Sequence, residues 1–236
     1  MTVAGREGPP SAVRERFERV AQAVAPLLNR VVFTGRPAGW LLATDHLTAA
    51  QPVSVAADAT FRALSELSLD RLAVELSTLG FTRRGRTDRS EQWTLDAATT
   101  IEVIHVSGDE GDPAATWLEY AMLLTVPVDA GAGLRARITG APALLALDWA
   151  GYRASGRSVL DSGEVEDVIA LVAGRAEVVR EVGAAPPELR SFVAGETRRV
   201  LAQECAEHAI RRALPGALQL PALVARVAER MARIAG

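Results

Sequence analysis

Three short segments in the first half of the chain alternate in the manner of β-strands, and they constrain the fold more than any other feature. They are residues 31–36, 53–58 and 100–106. Successive side chains of a strand point to opposite faces, so Asp58 shares a face with Ala56, and Glu102 shares one with Ile104. The pattern therefore predicts a sheet in which two strands each carry one carboxylate.

These two carboxylates, Asp58 and Glu102, indicate a candidate site. A carboxylate on an otherwise apolar strand face is costly to bury unless it is paired, protonated or bound to a metal. Both lie downstream of a turn at Gly35, where a small residue lets backbone N–H groups approach phosphate oxygens. The constellation favours a site for a metal ion and a phosphate. Two alternatives stay open: Asp58 also fits a solvated strand end, and Glu102 a surface position.

Composition limits the classes of function. The 236 residues are 49% hydrophobic and 23% charged, enough to bury a full core as one domain or as a domain with a helical extension. All 26 basic residues are arginine, so a mechanism that needs a lysine amine is excluded. The net charge of −3 provides no basic surplus for non-specific binding to nucleic acid.

The expected location is the cytoplasm. The single cysteine, Cys205, excludes an internal disulfide and fits a reducing compartment. Residues 1–10 lack the apolar core of a signal peptide, and no apolar run approaches the length of a bilayer span. We therefore expect no membrane partner.

Further patterns predict helices, strands and turns in the first 140 residues. Ser11 can begin a helix that runs to about residue 29 and bends or ends at Pro26, and Ser68 can cap a helix that stops at Gly80. The arginine-rich stretch 81–89, centred on Gly85, predicts a hairpin turn. Residues 92–95 are predicted to form an antiparallel strand pair with 100–106. The segment 117–122 is ambiguous between helix and strand, and segments 123–128 and 134–138 predict a second hairpin.

The back of the chain reads as helical throughout. Glycines and prolines separate six predicted helices, at about 142–154, 163–173, 175–183, 187–204, 205–213 and 220–235. The predicted organisation is α+β in front and all-helical behind. We divide it into a disordered tail, an α+β domain and a helical C-terminal region, over residues 1–10, 11–140 and 141–236.

The order of these elements resembles the polymerase-β superfamily of nucleotidyltransferases. It is more closely similar to the branch of abortive-infection toxin nucleotidyltransferases, which have a Gly-Gly or Gly-Ser turn, an Asp-x-Asp strand, a third acid and a later lysine. Gly35-Arg36 takes the place of the glycine pair, residues 56–58 the place of Asp-x-Asp, and Glu102 that of the third acid. The lysine position falls near Asp148, and the later acidic helix corresponds to residues 164–169.

The resemblance implies a nucleotidyltransferase-like mixed β-sheet flanked by helices, followed by the helical C-terminal region. It implies that Asp58 and Glu102 are the catalytic carboxylates and bind Mg²⁺, and that Gly35 and Arg36 contact an NTP. Carboxylates of this kind hold two ions that clamp the attacking and leaving oxygens of the transfer. An antitoxin-like protein or a tRNA is the implied partner.

Three departures from the family pattern favour a catalytically impaired relative. Ala56 replaces one metal-binding aspartate, Asp148 occupies the lysine position, and the chain contains no lysine. An anion where the family places a cation repels the triphosphate. The alternative is an active Mg²⁺-dependent enzyme that transfers NMP or a pyrophosphate-containing group to a protein or tRNA.

Overall fold

The computed structural model describes residues 11–45, 60–96, 99–106, 115–214 and 219–236. The chain divides into two compact units. Within the described ranges, the sheet unit comprises residues 11–41, 60–96, 99–106 and 115–140, and the helical unit comprises residues 42–45, 141–214 and 219–236.

The sheet unit is built on seven strands. They are β1 (Val31–Thr34), β2 (Phe61–Ser65), β3 (Thr82–Arg86), β4 (Ser90–Asp96), β5 (Thr99–His105), β6 (Thr125–Asp129) and β7 (Arg135–Thr139). Their order across the sheet is β3-β4-β5-β2-β1-β7-β6. Strand β2 runs antiparallel to β1 and parallel to β5, so the sheet is mixed. The predicted α+β class, with a mixed sheet flanked by helices, is confirmed.

Four helices belong to this unit in the described ranges. They are α1 (Ser11–Ala23), α2 (Arg36–Leu41), α3 (Leu69–Thr78) and α4 (Ala115–Leu123). The predicted first helix is confirmed but ends before Pro26, which lies in a 3-10 turn over Ala25–Leu27. The predicted cap of α3 is also confirmed, since the Ser68 hydroxyl accepts a hydrogen bond from the Arg71 N–H.

Helix α1 packs its apolar stripe on the sheet. Phe17 is fully buried, with its ring centroid 5.2 Å from that of Phe33 and 6.0 Å from that of Phe61. Burial of one such side chain stabilises the fold by about 2–3 kcal/mol. The face that carries Phe33 and Phe61 is therefore the core face under α1.

One expectation for the front of the chain is wrong, and one strand was not predicted. Residues 81–89 are not simply a hairpin turn, because β3 occupies Thr82–Arg86 and the tight turn is confined to the residues between Arg86 and Ser90. Every residue of β3 is exposed, so this edge strand has no apolar alternation from which it could be recognised.

Strand β2 is not among the strands predicted from the sequence. The ambiguous segment 117–122 is helical, within α4, and the predicted strand 53–58 lies outside the described residues.

The helical unit contains six helices within its described ranges. They are α5 (Ala141–Ser155), α6 (Gly163–Gly174), α7 (Val178–Gly183), α8 (Pro187–Leu201), α9 (Ala206–Ala213) and α10 (Pro221–Ala235). The prediction of six helices is confirmed, with boundaries within a few residues. The Trp149 ring of α5 is fully buried, and its Nε1–H donates to Thr197 Oγ1 at 3.2 Å, so this aromatic side chain has its polar group satisfied.

Candidate functional site

Glu102 lies in the middle of β5, and its neighbour across the sheet is a cation. The parallel register of β2 and β5 places Arg62 directly beside Glu102. Residues paired in this way point to the same face of a sheet. Arg62 Nε donates to Glu102 Oε2 at 2.9 Å. The strand that borders Glu102 thus brings an arginine to the carboxylate.

The glycine turn at Gly35 also lies next to the Arg62 side chain. Gly35 joins β1 to α2 with φ of +77°, in the left-handed region that favours glycine. A Cβ placed on Gly35 would lie 3.5 Å from Arg62 Cδ. Gly35 and Glu102 therefore lie on either side of the Arg62 side chain. The Arg62 and Glu102 side chains are 58% and 27% exposed, so the pair is open to solvent.

The other predicted residues of the site do not all belong to the sheet unit or to the described part of the chain. Arg36 is the first residue of α2 and is exposed. Asp58 and Ala56 lie outside the described residues, so the convergence of Asp58 with Glu102 stays a prediction. Asp148 belongs to α5 of the helical unit and is half-buried. The acidic run 164–167 begins α6, where the Glu164 carboxylate accepts a hydrogen bond from Ser162 Oγ at 2.7 Å.

The described residues do not form the Mg²⁺ site that the resemblance implies. Glu102 Oε2 accepts from Arg62, and Oε1 accepts from Ser90 Oγ at 3.1 Å. Among the residues that the structure describes, no group of three or more histidines, cysteines or acids could hold a metal ion. A two-ion site needs several oxygen ligands that are not already engaged. The roles of Asp58 and Glu102 as metal ligands stay predictions.

A second carboxylate, Glu91 on β4, was not identified from the sequence. Its side chain is fully buried, on the face opposite to that of Glu102. It accepts from Arg83 Nη1 at 3.1 Å and from Trp93 Nε1 at 3.1 Å, and Arg86 Nη1 lies 3.2 Å away. The strand alternation of residues 90–93 is the signal that places Glu91 beside Trp93. Two arginines of the predicted turn, Arg83 and Arg86, thus contact a buried carboxylate.

The helical unit holds residues 42–45 through polar contacts. Asp45 Oδ2 accepts from Arg230 Nη2 at 3.1 Å, and the N–H groups of Thr44 and Asp45 both donate to the Gly174 carbonyl. Arg175 Nη1 donates to the Leu42 carbonyl at 3.0 Å. These contacts fix the segment to the C-terminal end of α6.

Two titrating groups in this network have shifted pKa values. The hydrogen bond from Thr44 Oγ1 to Glu177, 2.9 Å long, holds the pKa of the Glu177 carboxyl below its ordinary value. The hydrogen bonds to Glu181 raise the pKa of the Arg175 guanidinium further above its ordinary value. Both shifts favour the charged forms, because each charge has a partner. The network therefore keeps Glu177 and Arg175 in their charged forms.

A cavity of about 790 Å³ opens at the end of the sheet away from Gly35. Its lining includes two arginines and two glutamates, around apolar side chains: Arg30, Arg137, Glu66, Glu119, Leu67 and Met122. Arg137 Nη2 donates to the Asn29 carbonyl at 3.1 Å. The opposite charges balance, so the cavity offers no net positive charge to a phosphate.

Comparison with known proteins finds similar solved structures but no similar family model or curated sequence. No protein-family model matches the sequence, and no curated protein is significantly similar to it. An antigenic nucleotidyltransferase-like protein from Paracoccidioides brasiliensis, known from its crystal structure, is 14% identical in sequence, with a TM-score of 0.49. The match covers 86% of this chain and 94% of that protein. In the described part of the chain, no helix has the length and apolar character needed to cross a membrane.

Proposed function

We propose that this chain is a nucleotidyltransferase-fold protein related to the toxin-type branch, impaired in catalysis, and that it acts as a binding or regulatory module. One observation carries the proposal. The glycine turn at Gly35 and the third acid, Glu102, lie on either side of the Arg62 side chain, which is hydrogen-bonded to Glu102. Among the described residues, no cluster of three or more acids, histidines or cysteines stands at this place, which supports a loss of metal binding.

The charge arrangement supports loss of transfer. Phosphoryl and nucleotidyl transfer depend on cations that neutralise the triphosphate and align the reacting oxygens. Here the charge of Arg62 is already balanced by Glu102, and Ser90 engages the remaining carboxylate oxygen. A carboxylate whose two oxygens are already engaged, as those of Glu102 are, binds a hard dication poorly. We therefore propose that Mg²⁺ and NTP bind weakly or not at all, and that the functional partner is an antitoxin-like protein or a tRNA in the cytoplasm.

The direct test is a transfer assay on the full chain. The protein is incubated with each α-³²P-labelled NTP, Mg²⁺ or Mn²⁺, and bulk tRNA, and both tRNA and protein are examined for label. We expect no label above that of Glu102→Gln. Label in the parent chain that disappears in Glu102→Gln would overturn the proposal and favour the active enzyme.

Calorimetry provides a second readout of the same proposal. Mg-NTP titrated into the parent chain is expected to give only the heat of dilution. Micromolar, Mg²⁺-dependent binding would contradict impairment, because it would mean that the remaining acids suffice to hold the ion.

A further inference from the structure

We propose that the Arg62 guanidinium takes the place of a metal ion at Glu102, and that this contact keeps divalent cations away from the Glu102 carboxylate. The inference deepens the proposed function and rests on it, because it concerns the same site. It assigns to Arg62 a role that was not recognised from the sequence. It also predicts which single substitution would create a cation site.

Strand register is the first step of the argument. Arg62 and Glu102 are direct neighbours on parallel strands, separated by about 4.8 Å between strand axes. Their side chains leave the same face, so the guanidinium reaches the carboxylate without rotation of the strand. The 2.9 Å bond from Nε to Oε2 shows that the two charges are in direct contact.

The second step concerns the orientation of the carboxylate. Ser90, on the strand at the other side of β5, donates its hydroxyl to Glu102 Oε1. Glu102 is thus held from both neighbouring strands, one contact to each oxygen. A cation approaching the carboxylate would have to displace Arg62 and would then be repelled by the guanidinium.

The third step is that the Arg62–Glu102 pair is exposed to solvent. Arg62 is more than half exposed, and Glu102 is about a quarter exposed. An aspartate at position 62 would therefore lie at a solvated strand position and place a second carboxylate beside Glu102. Two carboxylates on adjacent strands can share one hard cation, which prefers several oxygen ligands.

The experiment measures cation binding without nucleotide. Mn²⁺ is titrated into the parent chain, Arg62→Asp, and the double variant Arg62→Asp with Glu102→Gln, and free Mn²⁺ is followed by electron paramagnetic resonance. Arg71→Asp is the matched control, since Arg71 is an exposed residue of α3 and the change in net charge is the same. Circular dichroism verifies that each variant is folded.

We expect Arg62→Asp to bind Mn²⁺ about tenfold or more tightly than Arg71→Asp, because ligand charge count sets affinity for hard cations. Removal of the Glu102 charge in the double variant should abolish the gain. Equal binding by folded Arg62→Asp and Arg71→Asp would overturn the inference, as would Glu102-dependent Mn²⁺ binding by the parent chain. If Arg62→Asp does not fold, Arg62→Asn and Arg71→Asn make the same comparison with a neutral oxygen ligand.

The two proposals fail in distinguishable ways. The transfer assay uses the parent chain with nucleotide, whereas the Mn²⁺ titration uses substituted chains without it. An inactive parent chain together with no gain of binding in Arg62→Asp would leave the proposed function standing and remove the role of Arg62. An active parent chain would remove the proposed function whatever the Mn²⁺ titration of the variants shows.

Discussion

Glu91 and Glu102 lie on neighbouring strands and both pair with arginine, but they differ in burial, in the face of the sheet that they occupy and in their hydrogen-bond partners. Glu91 is fully buried on one face of the sheet, next to two arginines and bonded to the Trp93 ring nitrogen. Glu102 lies on the other face, partly exposed, with one arginine and one serine as hydrogen-bond partners. The comparison teaches that an arginine–carboxylate pair is structural when its carboxylate is buried and fully hydrogen-bonded, and remains open to exchange when solvent reaches the carboxylate.

Loss of the buried carboxylate should have the largest effect. We expect Glu91→Ala to lower the free energy of unfolding by about 2–3 kcal/mol, because it removes the buried acceptor of Trp93 Nε1 and the carboxylate next to Arg83 and Arg86, of which Arg86 keeps its hydrogen bond to Asp70. Denaturant unfolding of the parent chain and the variant measures the difference. Gln92→Ala, at the adjacent exposed position, is the control. A loss for Glu91→Ala no larger than that for Gln92→Ala would show that the buried site is not structural.

The turn beside the exposed site should be next in effect. Gly35→Ala forces a side chain into a left-handed conformation, and we expect a loss of about 1–2 kcal/mol. The added Cβ would be in ordinary contact with Arg62, so backbone strain is the main cost. Gly85→Ala is the matched control, since no atom lies within 4 Å of its added Cβ and its φ is not positive. Equal losses in the two variants would contradict the assignment of strain to Gly35.

Removal of the exposed carboxylate should cost little. We expect Glu102→Ala and Arg62→Ala each to change the free energy of unfolding by at most about 1 kcal/mol, because solvent screens the pair. A double-mutant cycle in denaturant isolates their interaction from other effects of each substitution. A coupling as large as the loss measured for Glu91→Ala would remove the distinction between the two sites.

A third carboxylate, Glu177 in the helical unit, tests whether one hydrogen bond is enough to make stability depend on pH. Its folded pKa is lowered, so its contribution is present above the pKa of the unfolded chain and is lost as pH falls through the folded value. We expect Thr44→Val to raise this pKa and to reduce the loss of stability on acidification. The effect should be small, since the carboxylate is partly exposed.

The measurement for Glu177 is a side-chain carboxyl titration by nuclear magnetic resonance. Thr44→Ser keeps the hydroxyl and serves as the control. An unchanged Glu177 titration in Thr44→Val would show that the hydroxyl does not cause the shift.

Prediction from the sequence succeeded where the signal is local. The cap at Ser68, the turn at Gly35 and the helices after residue 141 depend on residues within a few positions of one another. The same reasoning failed for β3, whose exposed arginines resemble a loop, and it did not identify β2. Short strands acquire their identity from partners that are distant in sequence.

In the candidate site, the sequence determines the residue types and local elements, and the tertiary structure determines which residues are neighbours. The sequence by itself determined that Glu102 is a carboxylate in an apolar strand, that a glycine turn is available, and that no lysine amine takes part. Only the tertiary structure decided that Arg62, forty residues earlier, lies beside Glu102, and that the Glu91 carboxylate is buried on the opposite face. The physical reason is that alternation along a strand fixes which face a side chain takes, whereas its neighbour across the sheet depends on a register between distant segments.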